Sequence, residues 1–275
     1  KFHLAKDEQR GFTTINSIKN NTDQLEFSYL KAHPDVLKVV LKTPIKPGDS
    51  YTIKLEYLLV IPDATFTGYG VTDAKDFQLK YWYITPTFYD GKWNYYSNKN
   101  LDDLFIPKAN VSITITHPSN YKIISELDLK ESVFLGNKKM LQTKLYGNNR
   151  VDTYLSLKKS TNYSVIQTDD FTVISNIAKK ELSDVGRVLI TDKITQFLAE
   201  NFGKYPYNQL LVTNADYYKN PLYGLNQLPD FFRPFPDDFQ YELKLLKTAI
   251  KKYLDNTLLM NPRKEHWLTE GIQIY

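Results

Sequence analysis

Cysteine is absent from the 275 residues. That excludes disulfides, thiolate zinc sites, iron–sulfur clusters and a cysteine nucleophile, and leaves the compartment open. No apolar run approaches the ~18 residues that a membrane-spanning helix needs. Charge of one sign is not in excess: 35 Lys and Arg stand against 31 Asp and Glu, a net +4 with no long block, so a nucleic-acid partner is not expected. The opening "KFHLAKDEQ" does not read as a signal peptide. The final "GIQIY" stops inside an apolar pattern, so the chain is expected to be incomplete at its C-terminus. Histidine is scarce, with only His3, His33, His117 and His266, and no two of them stand at i, i+4. What the chain has in quantity is aromatic side chains, 21 Tyr and 15 Phe, so much of its packing must be aromatic.

The first part reads as strands. "LEFSYL" (25–30), "VLKVVL" (36–41) and "YTIKLEYLLV" (51–60) are rich in Val, Ile, Leu, Tyr and Phe, and the last two flank the turn cluster "KTPIKPGDS". "LKYWYITP", "VSITITHP", "KMLQTKLY" and "VDTYLSL" continue the pattern; Val111, Ile113 and Ile115 should point one way, Ser112, Thr114 and Thr116 the other. After "TDDFTVIS" the period changes. Residues 176–203 carry Leu182, Val185, Leu189, Phe197 and Leu198 at helical spacing and stop at Gly203. "QLLVTN" is a short buried strand by composition, and a loop over 216–238 follows. Residues 238–259 place Leu243, Leu246, Ile250, Leu254 and Leu258 on one helical stripe, and a further helix starts after the Asn261-Pro262 turn. The expected organisation is α+β: an antiparallel β domain over 1–167 and a mixed α/β segment over 168–275.

Three stretches carry a family resemblance. "ENFGKYPYNQLLVTNADYY" ends a helix at Phe-Gly and turns through aromatic-Pro-aromatic into a strand; "WLTEG" sets a glutamate before glycine on a helix; "VLKVVLKTPIKPGDSYTIKLEYLLVIP" gives long strands. In their order along the chain they resemble the gluzincin aminopeptidases, the zinc peptidases typified by membrane alanyl aminopeptidase. The resemblance implies a saddle- or sandwich-like N-terminal β domain followed by the first part of a thermolysin-like catalytic domain. It also implies a zinc site of the form H-E-x-x-H, then eighteen residues, then Glu. Two histidines share a helical face, a glutamate from the next helix completes the protein ligands, and the motif's own Glu is the general base.

Counting back from Glu270 puts the histidine positions at Lys251 and Lys247, and the general base at Thr248. A protonated lysine has no lone pair to offer a metal, and a threonine is no base near neutral pH. His266 shares a helical face with Glu270, but two groups on one turn are a weak site, and His266 reads as a helix-surface residue. In the family's Gly-Ala-Met-Glu-Asn segment a glutamate grips the substrate amine; here Pro221 takes that place, followed by Tyr223, Gly224, Leu225 and Asn226 as candidate cleft lining. The aromatic groups over 80–96 and 228–239 read as packing before they read as a ligand surface. Lys244 and Lys252 read as a solvated helix face.

The expectation is therefore a catalytically degenerate aminopeptidase-like protein with no catalytic residue, no metal ligand set and no cofactor, zinc having been lost. Lys247, Thr248, Lys251 and Glu270 remain as relic metal-site positions. A peptide or protein ligand in the cleft is the expected partner, and a bacterial envelope or secreted location the expected setting. The alternative is an active zinc aminopeptidase whose ligands this alignment misplaces or which lie beyond residue 275. On the degenerate reading, Glu270 should pair with a lysine within about 4 Å, Lys251 before Lys247.

Overall fold

The structure is a computed structural model; it describes residues 4–21, 23–95, 105–151, 153–177, 182–222, 232, 235–258 and 260–274. The side chains of Pro262, His266 and Ile274 are outside that description. The strands are β1 (Phe12–Asn20), β2 (Asp23–Gln24), β3 (Glu26–Leu30), β4 (His33–Val40), β5 (Lys54–Val60), β6 (Gly70–Val71), β7 (Phe77–Leu79), β8 (Phe88–Tyr89), β9 (Trp93–Asn94), β10 (Ala109–Pro118), β11 (Lys122–Ser125), β12 (Asp128–Leu135), β13 (Met140–Arg150), β14 (Leu155–Lys158), β15 (Ser164–Gln167), β16 (Thr172–Ser175) and β17 (Gln209–Val212). The α-helices are α1 (Asp184–Phe202), α2 (Asn214–Lys219), α3 (Asp237–Thr257) and α4 (Pro262–Ile274). The chain is thus sheet first and helix later, and every ladder described before residue 167 is antiparallel. None of the described helices is long and apolar enough to cross a membrane.

The chain divides into two compact units, one of residues 1–74 with 82–107, the other of 75–81 with 108–275. In the first unit β1 is flanked by β2 and β5, the β1–β5 register running from Phe12↔Val60 to Lys19↔Lys54 with a bulge near Ile15 and Ser17. Its buried apolar side chains are few, Ile18, Leu25, Tyr69 and Ile106 foremost.

In the second unit β10 behaves as its alternation dictates. Val111, Ile113 and Ile115 are half-buried while Ser112, Thr114 and Thr116 face water. His117 continues the inward row, its ring nitrogens set against the Pro118 carbonyl (3.0 Å) and the Thr143 hydroxyl (3.1 Å). The "LKYWYITP" strand does not form beyond Leu79: Tyr81 has φ 54°, a left-handed conformation that breaks a ladder. β12 is a strand that alternation does not reveal, exposed along nearly its whole length and held by its ladder to β13.

Farther along, β16 and β17 pair in parallel with α1 as the crossover between them, and β15 adds an antiparallel edge. Ser183 caps α1 by accepting the Gly186 amide, and Gly203, at φ 88°, ends it. The core lies between this sheet and the helices: Phe171, Val173, Ile194, Leu198, Leu210, Val212, Tyr241, Leu245, Ala249 and Tyr253. The stripe expected on α1 is corrected here. Val185 and Leu189 are exposed, and the inward face is made by Thr191, Ile194, Thr195 and Leu198. Thr191 can sit inside because its hydroxyl donates to the Arg187 carbonyl one turn back (2.7 Å).

One buried polar knot seats α3. The Lys252 ammonium lies 3.6 Å from the Glu126 carboxylate, the two side chains 5% and 1% exposed. Asn256 donates to Glu126 (3.3 Å) and to the Tyr205 hydroxyl (2.7 Å), and the Tyr154 amide also points at Glu126 (3.4 Å). Burial, and then the Glu126 charge, push the Tyr205 phenol up, so it stays protonated. Removing one charge of such a pair strands the other in the interior. Glu126→Leu alone should destabilise by about 3–5 kcal/mol, and Glu126→Leu with Lys252→Met should recover most of the loss in equilibrium urea unfolding. Equal losses in both variants would show that the charges do not matter to seating the helix.

Candidate functional site

The positions singled out by the glutamate count lie on α3 and α4, which pack against each other. α3 begins with Asp237 and Asp238 in its first turn, where acidic groups meet the positive end of the helix dipole. It buries Tyr241, Leu245, Ala249, Ile250, Tyr253 and Leu254. α4 starts at Pro262 behind a reciprocal cap: the Asn261 side chain accepts the Arg263 amide (3.1 Å), and Glu265 accepts the Asn261 amide (2.8 Å).

Lysines ride on the buried side of α3. Lys244, Lys247 and Lys252 are 9%, 8% and 4% exposed, which corrects the solvated-face expectation for Lys244 and Lys252. Each is accommodated differently. Lys252 faces Glu126, and the Lys244 ammonium stands 5.5 Å from the centre of the Tyr217 ring. Lys247 makes no hydrogen bond or ion pair among the described residues; the groups that act on its charge are Glu270 and Lys251.

The expected Lys251–Glu270 pair does not form. Lys251 turns along its own helix to Asp255, with contacts of 3.2 and 3.3 Å to the two carboxylate oxygens. An i, i+4 partner needs no interhelical reach, so the local carboxylate wins. Glu270 is half-buried and accepts a hydrogen bond from the side-chain amide of Asn220, just past α2. The Thr248 hydroxyl is spent on the Lys244 carbonyl (2.8 Å). Of the positions expected to converge, 247 and 270 therefore act on each other through space, while 251 and 248 are tied elsewhere. Asn220 and Asp255 are the participants the glutamate count overlooks; Asp255 was within reach as the acidic residue four after Lys251.

These residues do not fit a zinc ion. Two ammonium groups offer no lone pairs, and a neutral threonine hydroxyl is not among the ligands zinc sites use, which leaves a single carboxylate. Among the described residues no three His, Asp or Glu side chains gather as a metal would require. Pro221 is half-buried where the amine-gripping glutamate was looked for, whereas Tyr223, Gly224, Leu225 and Asn226 lie outside the described residues, as does the side chain of His266.

Burial lowers the proton affinity of Lys247, Glu270 raises it and Lys251 lowers it again; the net is a pKa below the ordinary 10.5. The unfolded chain holds this proton more tightly than the folded one. Stability therefore rises with pH between the folded and unfolded values, and below the folded value the whole cost of the buried ammonium is present. Lys247→Met should stabilise the protein at pH 7 by about 1 kcal/mol, with the gain shrinking as the pH approaches 10.5. Urea unfolding at pH 7 and pH 10 reads this directly; a gain independent of pH would assign it to packing instead of charge.

No known protein family is matched by the sequence. No curated protein matches it either. Solved structures do match in fold. The M1 zinc metallopeptidase from Deinococcus radiodurans aligns over 95% of this chain and 58% of its own, with a TM-score of 0.57 at 14% identity. A mutant of that enzyme bound to a Tyr-Ser-Ala substrate aligns over 95% and 59%, with a TM-score of 0.56 at 14% identity. A two-domain M1 zinc metallopeptidase mutant bound to L-arginine gives 0.54 at 12% identity over the same shares. The chain spans about three fifths of the length of these proteins. At such identities the likeness is one of fold: the chain has an M1 metallopeptidase-like fold.

Proposed function

We propose that this chain is the N-terminal saddle-like β domain and the first part of the thermolysin-like domain of a degenerate aminopeptidase, over 1–167 and 168–275, which has lost its zinc and binds a peptide or protein without cleaving it. The observation that carries the reading is the chemistry at the relic metal positions. Glu270 still acts on position 247, yet that position and 251 hold ammonium groups and position 248 holds a hydroxyl bonded to its own helix. A buried ammonium beside the remaining carboxylate occupies the charge role of a cation without its Lewis acidity. The M1 neighbours, one of them with a bound tripeptide substrate, support a peptide-sized ligand as the class to try first.

Elemental analysis of the full-length protein after dialysis should find no stoichiometric zinc, and aminoacyl-anilides should not be hydrolysed. The triple variant Lys247→His, Thr248→Glu, Lys251→His should gain about one zinc per chain, because Glu270 completes that ligand set. Stoichiometric zinc in the unaltered protein, or none in a folded triple variant, would overturn the relic-site reading.

A further inference from the structure

β13 ends in a cation that the fold takes inside. Arg150 is 4% exposed, and its Nε and Nη1 groups have no hydrogen-bond partner among the described residues. Arg187 is the contrast: its Nε is also unclaimed, but its other nitrogens meet Asp184 (3.5 Å) and the Leu182 carbonyl (3.1 Å). Arg150 has an aromatic face in place of a carboxylate, its guanidinium carbon lying 3.6 Å from the centre of the Tyr207 ring. The local chain builds this placement. The β10–β13 register shifts between Ala109 and Val111, and Asn149 takes φ 55° with its amide donating to the Asn110 side chain (3.0 Å). Gly147 leaves the room, since a Cβ there would stand 2.8 Å from Arg150 Cγ and 2.9 Å from its Nε. The Tyr207 hydroxyl, within reach of the Asn149 carbonyl (2.6 Å) and the Asn256 carbonyl (3.2 Å), holds the ring in place.

Arg150 belongs to the polar knot of Glu126. The Tyr207 and Tyr205 rings meet at 5.4 Å between centres, and Tyr205 connects to Glu126 through Asn256. The knot holds two buried cations, Arg150 and Lys252, against one buried carboxylate. That carboxylate is already engaged by Lys252, Asn256 and the Tyr154 amide. Asp128, half-buried, is engaged by Asn208 (3.1 Å). One positive charge is left over, on a group whose N–H donors are unclaimed, and a buried charge in that state is costly. We propose that Arg150 anchors a site for one small monovalent anion of halide size. A single negative charge balances the excess, whereas a divalent oxyanion overshoots it. The unclaimed Nε–H and Nη1–H lie on different edges of the guanidinium, so a planar carboxylate does not bridge them as it bridges a guanidinium fork. A spherical acceptor needs no such match, and a group so deeply buried admits an ion more readily than a larger solute. The inference does not depend on the loss of zinc, because Arg150 lies outside the relic metal-site positions.

The test uses the full-length protein and sodium chloride, with sodium gluconate making up constant ionic strength so that screening is held fixed. An ion that binds the folded state alone raises Tm, and chloride at about five times its Kd should raise it by about 2–4 °C over gluconate. Chloride NMR should show saturable broadening by the protein, competed away by bromide. Arg150→Met, checked for folding by circular dichroism, should lose both the chloride-specific rise and the broadening. Equal Tm in chloride and gluconate, or the same rise and broadening in folded Arg150→Met, overturns the site. Should Arg150→Met not fold, crystals of the unaltered protein grown in sodium bromide decide the matter by anomalous scattering. A bromide beside Nε or Nη1 of Arg150 upholds the proposal; bromide at surface positions alone, an adventitious ion only, overturns it.

Discussion

Taking an ammonium group out of water costs several kcal/mol unless something replaces the water, and α3 carries three that are mostly out of it. The packing of the second unit is arranged around that cost. For Lys252 the answer is a carboxylate delivered from the β region, with Asn256 and a tyrosine hydroxyl completing the hydrogen bonds. For Lys244 it is the face of Tyr217. For Lys247, among the described residues, it is the charge of Glu270 acting through space. The same helix thus shows a paired, a shielded and an exposed-to-cost solution within three turns.

Much of the fold was legible because it rests on short-range chemistry. The alternation of 111–118 survives as a half-buried row, and Gly203 and Asn261-Pro262 mark real helix ends, since a left-handed residue and a proline at the first helical position act whatever surrounds them. The illegible parts are tertiary. β12 shows no alternation because its ladder to β13, and not a buried face, holds it. Val185 and Leu189 satisfy a helical period but face outward, while two threonines that can return hydrogen bonds to their own helix face in.

The site was legible in its absences more than in its contacts. That no histidine pair exists can be read by inspection, and so can the lysines at 247 and 251. Their partners could not be assigned by counting across from Glu270, because that count assumes two helices meet tip to tip and ignores what each side chain can reach at home. Asp255 was closer in sequence and captured Lys251. Asn220 came from a segment with no carboxylate and so attracted no notice, yet its amide is the group that Glu270 holds.

The polar knot around Glu126 also bears on the time course of folding. Asn256 and Glu126 are 130 residues apart in the chain, so their contact closes a long loop and requires much of the second unit to be in place first. Closing so long a loop carries a larger entropy cost than a contact between near neighbours. Until the contacts around Glu126 form, α3 is an amphipathic helix with its charged residues still hydrated, and premature burial of Lys252 is disfavoured. The buried charge therefore acts as a condition on docking: stable seating of α3 depends on a β region that presents Glu126.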